Sequence, residues 1–126
     1  MKRRLVTVFA LALVLPVCLG PATQAHAKPT AFASGCSIPH RGERLGPTYL
    51  TSLSVSGTSC SAGLAVVSAY HACQLKHGGA KGKCTSAVDG FRCTEKRGPS
   101  IPTEFFSSVA CQSGSKRVNY KYSQFT

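Results

Sequence analysis

Tryptophan is absent, methionine occurs once, and only four carboxylates are spread over 126 residues: Glu43, Asp89, Glu95 and Glu104. That scarcity weighs against any mechanism that needs paired acids as proton donor and acceptor. No C-x-x-C pair is present, so structural zinc lacks its usual ligand spacing. His71, Cys73 and His77 lie close together, but offsets of i, i+2 and i+6 do not share one helical face. Gly57-Thr58-Ser59-Cys60-Ser61 lacks the second glycine of a nucleophile elbow, and Ser59 reads better as a helix cap. No nucleic-acid motif accompanies the basic residues, and no cofactor or metal is implied. What is plentiful is cysteine, seven residues, and positive charge, with a formal net of +11. A chain with 43% hydrophobic and 15% charged residues has the makings of one folded domain.

The start of the chain predicts export. Lys2, Arg3 and Arg4 precede the apolar run Leu5–Leu15, and Ala25-His26-Ala27 supplies a small-x-small cleavage pattern. The run is too short to span a bilayer, which takes about 20 apolar residues, and Pro16 interrupts it. Val17 before Cys18 argues against lipid attachment at that cysteine. Residues 1–27 therefore read as a signal peptide, and the product as secreted, extracellular or wall-associated. Cleavage after Ala27 leaves 99 residues, with 12 Lys and Arg against four acids and a net charge of +8. It also leaves six cysteines, Cys36, Cys60, Cys73, Cys84, Cys93 and Cys111. An even number in a small exported chain is the arithmetic of a disulfide framework. Such staples matter here, because a core of this size is marginal.

Residues 28–48 carry Pro29, Gly35, Pro39, Gly42 and Gly46-Pro47 and predict an irregular lead-in arm. The domain proper is expected over 49–126. Tyr49–Ser56 alternates with a period of two and predicts a strand. From Cys60 the period lengthens, with Cys60, Leu64, Val67 and Tyr70 or His71 on one face, predicting a helix to Lys76 that Gly78-Gly79 stops. Gly63 within it costs roughly 1 kcal/mol relative to Ala but leaves room for close approach to a sheet. Val88–Thr94 predicts a turn leading into a strand, and Gly98–Pro102 a breaker stretch. In Glu104–Cys111, Phe105, Val109 and Cys111 share one face and Phe106 and Ala110 the other. A turn at Gln112–Lys116 precedes a last strand in which Val118, Tyr120 and Tyr122 alternate with Arg117, Asn119 and Lys121. The expected fold is α+β: one helix on a small, mostly antiparallel sheet of three or four strands, stapled by disulfides.

Six cysteines allow 15 pairings. Cys73 with Cys84 closes a short ring and is the leading pair, with Cys60–Cys93 and Cys36–Cys111 completing one scheme. The main rival joins Cys93 to Cys111 across neighbouring strands.

Several segments carry a resemblance: Val55-Ser56-Gly57-Thr58-Ser59-Cys60-Ser61-Ala62 opening a helix, then Val88-Asp89-Gly90-Phe91-Arg92-Cys93, Val109-Ala110-Cys111-Gln112-Ser113-Gly114 and Arg117-Val118-Asn119-Tyr120. Over about residues 50–122 the chain resembles a small secreted cysteine-containing domain recurrent in high-GC actinobacteria. The resemblance implies a fold and an export route and carries no catalytic residue. Cys73 and Cys84 fall outside the shared pattern as an added pair.

The basic surplus is the most informative polar feature. Lys76, Lys81 and Lys83 cluster after the helix, and Arg92, Lys96, Arg97, Lys116, Arg117 and Lys121 fall on later strands and turns. A basic face around Arg92, Arg117 and Lys121, beside Tyr120 and Tyr122, would draw an anionic envelope polymer, a lipid headgroup or an acidic protein. The leading expectation is thus an exported, non-enzymatic binding module. An inhibitor of extracellular hydrolases would present Lys96–Pro102 as a braced loop. A small basic nuclease would draw its proton-transfer groups from His40, Glu43, His71 and Glu104, with Arg41, Arg44 or Arg92 on phosphate.

Overall fold

Alternation along the strands and a three-to-four-residue stripe along the helix divide the described residues into one layer of sheet and one helix. The computed structural model describes residues 33–42 and 44–126, with Arg41 described by its backbone alone. Residues 1–27, where a signal peptide is expected, and Glu43 lie outside the described residues. The elements are β1 (Ser34–Gly35), β2 (Tyr49–Ser56), α1 (Cys60–Lys76), β3 (Arg92–Ile101), β4 (Glu104–Ser113) and β5 (Lys116–Phe125), with 3-10 turns at Pro39–Gly42 and Gly79–Lys81. The strands form one antiparallel sheet in the order β1-β2-β5-β4-β3.

The sheet has five strands, more than the three or four expected from sequence. Part of the lead-in arm is strand, because Ser34 and Gly35 pair with Val55 and Ser54 along the edge of β2. The breaker stretch at 98–102 is not a loop either. β3 continues to Ile101, absorbing Gly98-Pro99 in a register shift between Arg97 and Ser100. A bulge and a proline are tolerated there because β3 is an edge strand with an unpaired side. A second irregularity between Leu50 and Ser52 lets Leu50 and Leu53, three residues apart, face the same core.

The Ser59 hydroxyl caps α1 by accepting from the Ala62 N–H at 3.2 Å. The helix buries Gly63, Val66, Val67, Tyr70, His71 and Gln74 against the sheet. Val67, Tyr70 and His71 of the expected stripe are buried, whereas at the N-terminal end Gly63 and Val66 face the sheet and Cys60 and Leu64 are only partly covered. Gly63 makes the close approach: a Cβ there would sit 2.7 Å from Val55 Cγ1. Gly46, at φ +105°, is the other forced glycine, since a Cβ would meet His71 Cδ2 at 2.3 Å.

Three disulfides join Cys36 to Cys60, Cys73 to Cys84 and Cys93 to Cys111. Such a set suits an oxidising, extracellular environment. The short ring Cys73–Cys84 is as expected, whereas Cys60–Cys93 and Cys36–Cys111 are corrected. Register decides one of these: Cys93 and Cys111 lie directly opposite each other on β3 and β4. The other follows from β1, which holds Cys36 beside β2 just where α1 begins at Cys60. No helix among the described residues is long and apolar enough to cross a membrane.

Candidate functional site

α1 covers one face of the sheet and leaves the other open. Strand alternation puts Arg92, Thr94 and Lys96 of β3 on the open face, with Ser108, Ala110 and Gln112 of β4 beside them. Arg117, Asn119 and Lys121 of β5 follow, then Ser52, Ser54 and Ser56 of β2. The register aligns Arg92, Gln112 and Arg117 in one row and Lys96, Ser108 and Lys121 in another. The four cations thus stand at the corners of a rectangle. Two strand spacings separate each row's pair by about 10 Å, and four residues of strand separate the rows by about 13 Å. Small side chains, Thr94, Ser108, Ala110 and Asn119, fill the area between.

Two shallow hollows occupy this rectangle. Arg92 and Arg117 flank one of about 450 Å³, floored by Ala110 and Gln112. Lys96 and Lys121 flank another of about 360 Å³, which Phe106 and Pro99 also line. The Arg117 guanidinium donates from Nη1 to Gln112 Oε1 at 2.5 Å, which orients it over the first hollow. Among the described residues the one ion pair is Arg97–Glu95, so none of the four corner cations is neutralised by a carboxylate. Uncompensated like charges on a flat face make a positive potential that attracts polyanions.

Arg92, Arg117 and Lys121 therefore share one face, as the alternation predicts, and Lys96 joins them. Tyr120 and Tyr122 do not. Both are only 2% exposed and point into the core on the opposite side, so their place in a contact surface is corrected. The reason is the same alternation that brings Arg117 and Lys121 out.

A second polar constellation lies on the covered face. Glu95, its side chain 6% exposed, accepts hydrogen bonds from Tyr122 Oη at 2.5 Å and Ser107 Oγ at 2.7 Å. Gln74 Nε2 of α1 lies at 3.4 Å and Arg97 Nε at 3.2 Å. Burial pushes the Glu95 carboxyl upward, but the donors Tyr122, Ser107 and Arg97 together with the Arg97 charge outweigh it and hold the group below its ordinary value. The carboxylate is thus an anion satisfied from four elements, which ties helix to sheet and makes a poor proton shuttle near neutral pH. Arg97 extends the network by donating to the Lys81 and Gly82 carbonyls at 2.9 and 2.6 Å and stacks over Phe105. The parity of Cys93, Glu95 and Arg97 on β3, in step with the buried Phe91 just before it, was the sequence signal for this cluster.

The residues considered for proton transfer are dispersed. His40 is exposed in the first 3-10 turn, His71 is buried on α1 under Gly46, and Glu104 begins β4. Among the described residues no hydrogen bond or ion pair joins any two of them. Lys96–Pro102 is mostly strand rather than a presented loop. Among the described residues no three His, Cys, Asp or Glu side chains form a metal-binding group. No protein-family model, curated protein or solved structure matches this chain.

Proposed function

We propose that this protein is an exported, non-enzymatic binding module that holds an anionic partner of the cell envelope or extracellular space on its open sheet face. The observation that carries this reading is the rectangle of Arg92, Lys96, Arg117 and Lys121, in cross-strand register and without carboxylate partners among the described residues. Each cationic pair flanks a hollow. Short Ser, Thr and Ala side chains between them let an extended anion approach the strand surface. The opposite face, occupied by α1 and stapled by three disulfides, keeps the sheet rigid, so little backbone ordering entropy opposes binding.

The test is charge reversal at Arg117 and Lys121 together. Both are exposed and neither supports the core, so thermal unfolding should stay close to that of the parent. Binding to immobilised polyphosphate should weaken sharply, and the slope of log K against log salt should fall by about two as two contacts are lost. Unchanged retention would remove this face from the binding surface.

A further inference from the structure

The open face is not uniformly polar. Beyond the lysine row it ends in an apolar apron: Phe106 is 48% exposed, Phe125 50% and Ile101 59%. Tyr49 joins them, packed edge-on against Phe125 with ring centroids 5.7 Å apart. The register explains why they gather. Phe106 and Tyr49 flank Ser123 on its two sides, and Phe125 is two residues on along the same face of β5. Ser123 is buried although it belongs to the open face, which fits cover by these rings. Phe106 lies one alternation from Ser108 on β4, so the apron begins about 7 Å from the lysine row. The hollow between Lys96 and Lys121 is where the two zones meet, since Phe106 and Pro99 line it too. Glu104, between Ile101 and Phe125 in register, sits at the outer rim of the sheet.

We propose that the open face docks on the surface of an anionic lipid bilayer, with Lys96 and Lys121 around a headgroup phosphate and Phe106, Phe125, Ile101 and Tyr49 at the headgroup–acyl boundary. This rests on the basic-face reading above and names its partner. A soluble polyanion offers cations a partner but gives half-exposed phenyl rings nothing to cover. A bilayer supplies both, because aromatic rings favour the interfacial zone and basic side chains favour anionic headgroups. Solvent-exposed apolar side chains grouped at the edge of a cationic surface are the two-part signal that such docking needs.

The absence of tryptophan allows a background-free test. Phe106→Trp places the sole indole in the apron. Its emission should shift to the blue on vesicles of phosphatidylcholine containing phosphatidylglycerol, and brominated lipid should quench it. Pure phosphatidylcholine vesicles and soluble polyphosphate should produce neither effect. In the parent sequence, Phe106→Ser with Phe125→Ser should weaken vesicle binding by roughly tenfold or more, from the apolar area no longer withdrawn from water. The same variant should hold polyphosphate as well as the parent does. Lys96→Glu with Lys121→Glu should lose both ligands. Preserved disulfides and thermal unfolding check that each variant is folded.

Vesicle binding that ignores the loss of both phenylalanines, or an indole that stays in water on bound vesicles, overturns the lipid inference. So does binding of polyphosphate without vesicle binding, which leaves the basic-face reading standing and assigns a soluble polymer. Self-association that hides the introduced indole without lipid overturns it too, and assigns the apron to a second copy of the chain. Insensitivity of both ligands to charge reversal overturns the basic-face reading as well.

Discussion

The Tyr122 hydroxyl on β5 donates to Glu95 Oε1 on β3 across 2.5 Å, linking strands that do not pair with each other. Gln74 Nε2 of α1 donates to the same hydroxyl at 2.9 Å, so helix, inner strand and edge strand meet at one buried anion. Charged hydrogen bonds in a low-dielectric site are strong, and losing one partner strands the others. Glu95→Gln keeps the shape and removes the charge, leaving Arg97 without its counter-ion. It should lower stability by about 2–3 kcal/mol in urea unfolding. A change of a few tenths would mean that the network is ornamental to the fold.

Gly63→Ala pits two effects against each other. Alanine gains roughly 1 kcal/mol of helix propensity. Its Cβ, however, would stand 2.7 Å from Val55 Cγ1 and 3.6 Å from Leu53 Cδ1. Overpacking of this kind costs about 1–3 kcal/mol, so the net effect should be destabilising. In a Val55→Ala background the same change should become neutral or stabilising, a coupling that a double-mutant cycle measures.

Three of the four tyrosines, Tyr70, Tyr120 and Tyr122, are buried together. Burial foremost, with the Glu95 charge adding to it, pushes the Tyr70 phenol up to about 12, and burial raises Tyr120 and Tyr122 further. The folded chain therefore keeps protons that the unfolded chain loses near pH 10, and stability falls as pH rises through that value. Phenolate absorbance of these three should appear only with cooperative alkaline unfolding. Native-state ionisation near pH 10 would contradict their burial.

His71 carries the acid side. Burial lowers its pKa, with Gln74 opposing weakly, so the folded state disfavours the imidazolium. Below about pH 6.5 the unfolded chain binds a proton that the folded chain does not, and stability declines as pH falls. Glu95, held below its ordinary value, adds a second decline once the unfolded carboxyl protonates at lower pH. His71→Gln should flatten the urea midpoint between about pH 6.5 and 5 while leaving the lower decline. An unchanged profile would clear His71.

Much of the sheet was legible because alternation is a local property. Val118, Tyr120 and Tyr122 against Arg117, Asn119 and Lys121 can be read from six residues, and Arg92 falls on the same side as the second set. The partners of Glu95 could not be read that way. Gln74, Ser107 and Tyr122 come from three other elements, and only register brings them to one carboxylate. The cysteines divide similarly. Cys73–Cys84 is a short local ring, Cys93–Cys111 depends on strand register, and Cys36–Cys60 depends on a two-residue strand that no periodicity marks.

The Cys73–Cys84 staple should also act on the folded state, through Arg97. It closes the loop that carries the Lys81 and Gly82 carbonyls, and these accept both terminal nitrogens of Arg97. In the chain-entropy account, replacing both cysteines with alanine costs about 2–3 kcal/mol for a ring of this size, whatever Arg97 does. If the staple also holds those carbonyls in place, the freed loop no longer fixes the guanidinium. Arg97→Gln should then cost less in the alanine background than in the parent, with a coupling of about 0.5 kcal/mol or more. Strict additivity would assign the disulfide to the unfolded chain alone and leave Arg97 anchored by Glu95 and Phe105.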